Sequence, residues 1–238
     1  MACQAISEKL PNGEVFGASA DIRTLSAQAT SPRAARRCFQ VGAIDDLSRG
    51  RLSPVTHLLV GWTALERTQK SSRDRALVVW IGLAPDLDGL GLLLDFATRL
   101  FGLPETNYYQ EFHRVYGHGL PAALVFSSLV WMLAEHRTRA ALAAFVSVHL
   151  HFACDLIGSR GGDPEDIWPI PYLSPLSDAL TLSWSGQWLL VSWQNTVITA
   201  ALLGIAAWMA VARGYSPASL FSKNADAAVV AALRARFR

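Results

Sequence analysis

Between Val55 and Ala212 the chain alternates long apolar runs with short polar connectors. Seven ionisable residues, His57, Asp86, Asp88, His113, His118, His151 and Asp155, are set inside those runs or at their ends. Runs approaching the thickness of a bilayer favour helices, because a helix satisfies its backbone hydrogen bonds within one segment. An imidazole or carboxylate in such surroundings costs free energy unless it is paired or holds a metal. The two constraints together call for a helical bundle whose polar side chains find one another.

The runs can be placed one by one. Ser53-Pro54 reads as a helix start, with proline in the first turn, and opens a short run to Leu65. After the charged connector Glu66 to Arg75 comes Ala76 to Leu94, about 19 residues and long enough to span a bilayer, but interrupted by Pro85-Asp86-Leu87-Asp88. Leu120 to Ala134 and Arg139 to Ala153 read as a helical hairpin joined at Glu135 to Thr138. Gln187 to Ala212 is the cleanest transmembrane candidate, and Ser216 to Arg238 reads as a basic amphipathic helix suited to an anionic lipid surface. The expected fold is therefore all-α, a membrane-embedded bundle of about five helices, with three regions: an extension over 1–50, a membrane domain over 51–215 and a C-terminal helix over 216–238.

Composition agrees, since hydrophobic residues make up 51% of the 238 and charged ones 17%, with the excess concentrated in those runs. Residues 1–50 are rich in Ala, Ser and Arg without apolar periodicity and read as disordered; an alternative is that translation begins near Val55. A net charge of +2 and the absence of a basic stripe interleaved with aromatics argue against a nucleic-acid partner. Cys3, Cys38 and Cys154 lack metal-type spacing, and Cys154 reads as a packing residue. Basic residues gather in alternate connectors (Arg67 to Arg75, Arg137 with Arg139, Arg213 onward), and acidic ones in Thr98 to Gly117 and Gly158 to Gly186. The positive-inside rule then gives a multi-pass membrane protein of five helices with a cytoplasmic C-terminus and puts His57, Asp88, His113, His118 and Asp155 toward one outer face.

Spacing refines the candidate site. In a helix, His151 and Asp155 lie one turn apart on one face, whereas His149 points elsewhere. Asp86 and Asp88 turn toward one site only if the chain is kinked, which Pro85 makes plausible. His113 and His118 are about 140° apart on a regular helix, so a shared site needs a helix to begin between them, at Gly117. Arg114 could meet a phosphate, a carboxylate or simply Glu111. His136, in the charged hairpin, reads as solvated. His and Asp in this number suit zinc, manganese or iron, and one or two divalent ions with an open position would acidify a water for hydrolysis. No serine-hydrolase, P-loop or dinucleotide motif is present.

The ordered set Pro54-Val-Thr-His57, Pro85-Asp86-Leu-Asp88, His113-Arg114 with His118, His151 with Asp155 and Gly161, then Trp168-Pro-Ile-Pro171 resembles the YdjM-like family of inner-membrane-associated metal-dependent hydrolases, over about residues 53–220. That group is itself distantly like zinc-dependent phospholipase C. The resemblance implies a membrane-bound hydrolase of phosphoesters, with a small-molecule or lipid-linked substrate, holding zinc through His57, Asp86, His118, His151 and Asp155. It implies Asp88 and His113 as ligands or proton-transfer groups, and His149 as a residue orienting a ligand. Ser159-Arg-Gly-Gly and Trp168 to Trp188 would shape a mouth, with Trp184 and Trp188 also readable as membrane-belt residues. Alternatives are a non-catalytic, metal-braced membrane protein and a membrane di-iron oxidoreductase.

Overall fold

The computed structural model describes residues 53–162 and 165–237, all within one compact unit, Leu47–Arg238. The expectations for residues 1–50 lie outside the described residues. The helices are α1 (Ser53–Leu65), α2 (Ser72–Ile81), α3 (Gly91–Leu100), α4 (Tyr108–Phe112), α5 (Leu120–Leu133), α6 (Arg137–Gly158), α7 (Trp193–Arg213) and α8 (Lys223–Phe237). The long loop after α6 carries only a two-residue antiparallel pair, β1 (Ile170–Pro171) with β2 (Thr181–Leu182). The all-α reading holds.

α6 is the hub. Its residues Ala140, Ala143, Ala144, Ser147, Val148, His151 and Asp155 are buried at helical spacing, and small side chains along most of that stripe let neighbouring backbones approach closely. Val130 of α5 and Ala134 just after it join Leu65 and Val78 against the alanines, while Ala123 and Ile170 pack on Val148 and Phe152. At Gly82, just after α2, a Cβ would come within 2.3 Å of Ser147 Oγ, so a larger residue there would force the Ser147 side chain to shift. Leu59 and Trp62 of α1 pack with Val79, Ala206 and Met209, tying α7 to the bundle.

By length and composition, α6 and α7 can each cross a membrane, and α2 with residues 84–100 makes a third candidate bent by 44°. α1 and α5, of 13 and 14 residues, reach only about 20 Å and are too short to span alone. Trp131 and Met132 on α5 and Trp193, Leu203 and Trp208 on α7 point outward, an apolar surface that suits lipid.

Several boundaries differ from the sequence reading, each for a local reason. α7 begins at Trp193 rather than Gln187, because the buried Gln187 side chain instead bridges Asp155 O and Trp168 N at 2.9 Å each and fixes the preceding loop to α6. α6 runs on to Gly158, five residues past the expected Ala153, which puts Asp155 within it. α8 folds back on α7: Asp226 accepts from Ser216 N, and Arg234 Nε donates to Val211 O at 3.1 Å. His136 is not merely solvated, since its Nδ1 meets the buried carboxylate of Asp74 at 3.0 Å. Asp74 also accepts from the backbone of Glu135 and His136, capping the start of α6.

Candidate metal centre

The interruption after α2 is a 3-10 segment, Ala84–Leu90, opened by Pro85. At three residues per turn, its two aspartates leave the axis in different directions. Asp86 reaches the imidazole of His151 (Oδ1 to Nε2, 3.5 Å), whereas Asp88 reaches His118 and His113. The pair therefore divides between two layers of one site instead of converging on one point.

The inner layer is built on α6. His151 Nε2 lies 3.4 Å from Asp155 Oδ2, one helical turn on, and 3.2 Å from His118 Nε2, which in turn lies 3.1 Å from Asp155 Oδ2. His57 enters from α1, its Nε2 at 3.3 Å from Asp155 Oδ1 and its ring stacked on that of His151 with centroids 3.9 Å apart. The donor atoms offered by His57, Asp86, His151 and Asp155 all lie within 4.8 Å of one another. Five side chains from four segments thus meet in a nearly closed space. His57, His118, His151 and Asp155 are buried, and the Asp86 side chain alone remains one third exposed. Ser159 closes the far side by donating to Asp155 Oδ1 at 3.0 Å.

The outer layer is the connector 113–119, which coils around one carboxylate. Asp88 Oδ2 accepts from Arg114 N (2.8 Å), Gly117 N (3.0 Å) and His118 Nδ1 (3.0 Å), and Oδ1 meets His113 Nδ1 at 2.9 Å. Contrary to expectation, no helix begins between His113 and His118; α4 ends at Phe112 and α5 starts at Leu120, so both histidines are free to turn toward Asp88. Gly117 is required by contact, since a Cβ there would lie 2.4 Å from Pro85 O and 2.9 Å from Asp88 Oδ2. Burial would push the His118 imidazole toward neutrality, but Asp155 and Asp88, one at each ring nitrogen, overcome it and raise its pKa to about 9. Metal-free, His118 is an imidazolium held between two carboxylates.

Arg114 adopts φ 71°, a conformation uncommon for a side-chain-bearing residue. Its guanidinium lies over the Trp168 ring at 4.7 Å, donates to Trp168 O at 2.9 Å and approaches Asp155 Oδ2 at 3.9 Å, so its partners are these and not Glu111. A cleft of 310 Å³ opens here, lined by Tyr109, His113, Arg114, Ile167 and Trp168 among others. Burial raises the Tyr109 phenol to about 12, with Arg114 opposing, so it keeps its proton at neutral pH.

The expected ligands His57, Asp86, His118, His151 and Asp155 are thus brought together, with Asp88 and His113 directly behind His118. His149 is not part of the site: its Nδ1 donates to Phe145 O at 2.8 Å, and Tyr172 Oη meets its Nε2 at 2.9 Å. Trp168 of the expected mouth does line the cleft, while Trp188 donates to Asn195 Oδ1 at 2.8 Å and is a structural residue. Sequence reasoning missed Gln187, for which a polar residue next to an apolar run was the available signal. It also missed the carboxylate of Asp95, isolated in Leu92-Leu-Leu-Asp-Phe96, which accepts from Tyr108 N and Tyr109 N at 2.9 Å and so starts the helix that carries one wall of the cleft.

The residues pass a geometric test for a metal. Zinc with nitrogen and oxygen ligands at about 2.05 Å in tetrahedral array needs donor atoms about 3.3 Å apart; the contacts His118–Asp155, His118–His151, His151–Asp155 and His151–Asp86 run from 3.1 to 3.5 Å. Asp86 Oδ2, buried, has no hydrogen-bond partner. The family described as YdjM inner membrane protein matches residues 52–233, which spans every residue of the site. No curated protein and no solved structure matches the chain.

Proposed function

The chain belongs to the YdjM inner membrane protein family, and from that premise we propose that it is a multi-pass membrane hydrolase that holds one divalent ion, zinc by its donors, and cleaves phosphoesters. The observation that carries this reading is the convergence of His57, Asp86, His151 and Asp155, whose donor atoms lie within 4.8 Å of one another, with His118 Nε2 at 3.1 Å from Asp155 and 3.2 Å from His151. Bound there, the ion would supply Lewis acidity and an acidified water.

The chain's own residues have distinct tasks in this scheme. Asp88 holds the Nδ1 proton of His118, which fixes the tautomer and points the Nε2 lone pair into the cluster. Asp88, His113 and His118 also bring donor atoms within 4.8 Å of one another, but Asp88 Oδ2 already accepts from the backbone N–H groups of Arg114 and Gly117, which favours its use as the partner of His118 over a second ion. Asp86, the one cluster member that is partly exposed, is the ligand best placed to yield to an incoming group. His113, paired with Asp88 and lining the cleft, can accept or deliver a proton there. Tyr109 contributes a neutral O–H.

A second reading, a non-catalytic metal that braces the bundle, is favoured by the number of donors, since with His57 they suffice to close a coordination shell. Purified full-length protein in detergent separates the two. Metal analysis should give one zinc per chain, with turnover of an activated phosphodiester, and His151→Ala should lose both. A zinc-loaded protein that turns over no phosphoester but melts on chelation supports the bracing role; a metal-free, inert wild type refutes both readings.

A further inference from the structure

The cleft beside the cluster contains a cation whose hydrogen-bonding capacity is mostly unspent. Arg114 is 6% exposed, yet its side chain makes one hydrogen bond among the described residues, from Nη1 to Trp168 O; Nε is buried without a partner, and Nη2 stops 3.9 Å short of Asp155. A guanidinium has five N–H donors in a fixed fork, and burying them unpaired is costly. The plane is held by Trp168 on one face and the backbone is held at φ 71° by the Arg114 N to Asp88 contact, so the fork is aimed before any ligand arrives. Charge points the same way. Three carboxylates, Asp86, Asp88 and Asp155, would be balanced by a dication together with Arg114; without the arginine the loaded centre would be anionic and would repel the substrates proposed for it.

We propose that this cleft is an anion subsite in which the Arg114 fork receives a phosphoryl group of the substrate, beside the metal cluster. The inference rests on the metal-hydrolase reading for its setting, but it concerns binding and is tested by binding. The phosphoryl group could belong to a lipid headgroup or to a soluble ester, and the chemistry recognised is the same. Tyr109, with its phenol protonated, offers a further donor on the same wall.

The test uses the zinc-loaded full chain in maltoside micelles, titrated calorimetrically with inorganic phosphate and, in a separate arm, with phosphatidate in phosphatidylcholine mixed micelles. Arg114→Gln should keep its zinc and weaken both ligands by about 10- to 100-fold, the range for losing charge-assisted hydrogen bonds. Arg114→Lys should recover little, because a point charge does not reproduce the fork. Tighter Arg114-dependent binding of phosphatidate assigns the subsite to a lipid headgroup, and equal binding assigns it to a free phosphate ester. If zinc-loaded wild type binds neither ligand, or Arg114→Gln binds them as wild type does, the subsite is refuted while a zinc stoichiometry of one leaves the metal reading standing. Should the variants fail to fold, phenylglyoxal labelling of wild type replaces them: phosphate should protect Arg114, and unprotected labelling refutes the subsite.

Discussion

Replacing Asp88 separates what holds the connector from what tunes the metal. In Asp88→Ala, the backbone N–H groups of Arg114 and Gly117 and the Nδ1–H of His118 lose their common acceptor. His118 and Arg114 are buried, so water replaces it poorly. At about 1–3 kcal/mol for each orphaned donor, the loss totals several kcal/mol, against a whole-domain stability of about 5–15 kcal/mol. That variant should express poorly or melt far below wild type. Asp88→Asn is nearly isosteric. Its amide oxygen can take the Oδ2 position with all three donors, and the amide nitrogen then faces His113, whose ring can switch tautomer to accept. The connector survives, but His118 loses an anionic partner and becomes a weaker base. Loss of such a partner costs about 10- to 100-fold in metal affinity, or about 1.4–2.7 kcal/mol. Competition with a chromophoric chelator measures the zinc affinity, and circular dichroism follows the melt. An Asp88→Asn protein that binds zinc as tightly as wild type would refute the claim that this carboxylate orients a ligand.

Removing the metal should destabilise the bundle, because Asp86 and Asp155 then share the cluster without it; at free zinc a thousandfold above Kd the difference is about 4 kcal/mol, readable as a fall in Tm on chelation. Metal-free protein should also respond to pH through His118. Its pKa is raised from the ordinary 6.5 to about 9, so the stabilisation is complete below pH 6.5 and is lost as pH rises through 9. A Tm of the metal-free form that is flat or rising from pH 6.5 to 9 would contradict the pairing with Asp155 and Asp88. Gly117→Ala should be overpacked against Pro85 O and Asp88, costing about 1–3 kcal/mol and lowering zinc affinity as the connector shifts; both are read by the same melts and competition assay.

The sequence made the ligands legible because their setting was improbable: His151 and Asp155 at helical spacing in an apolar run needed partners, and the few other ionisable groups in similar settings were the available ones. What it concealed was the division of labour, which depends on backbone winding that residue types do not encode. Whether Asp86 and Asp88 face one point or two is decided by the 3-10 turn at Ala84–Leu90, and whether His113 and His118 can share a partner is decided by a connector with no repeat. Arg114 is the sharper case. In a polar loop close to Glu111, its sequence setting leaves a phosphate, a carboxylate or Glu111 open as partners, and only the left-handed backbone at that position carries its side chain inward to Trp168. Asp74 was hidden for the same reason, a carboxylate in a charged connector that folds under the start of α6. In both, the residue's fate follows from which backbone donors or aromatic faces arrive from distant segments, 61 residues on for Asp74 and 54 for Arg114. A charge inside an apolar run announces that it must find partners, whereas a charge in a polar connector does so only after the helices have packed around it.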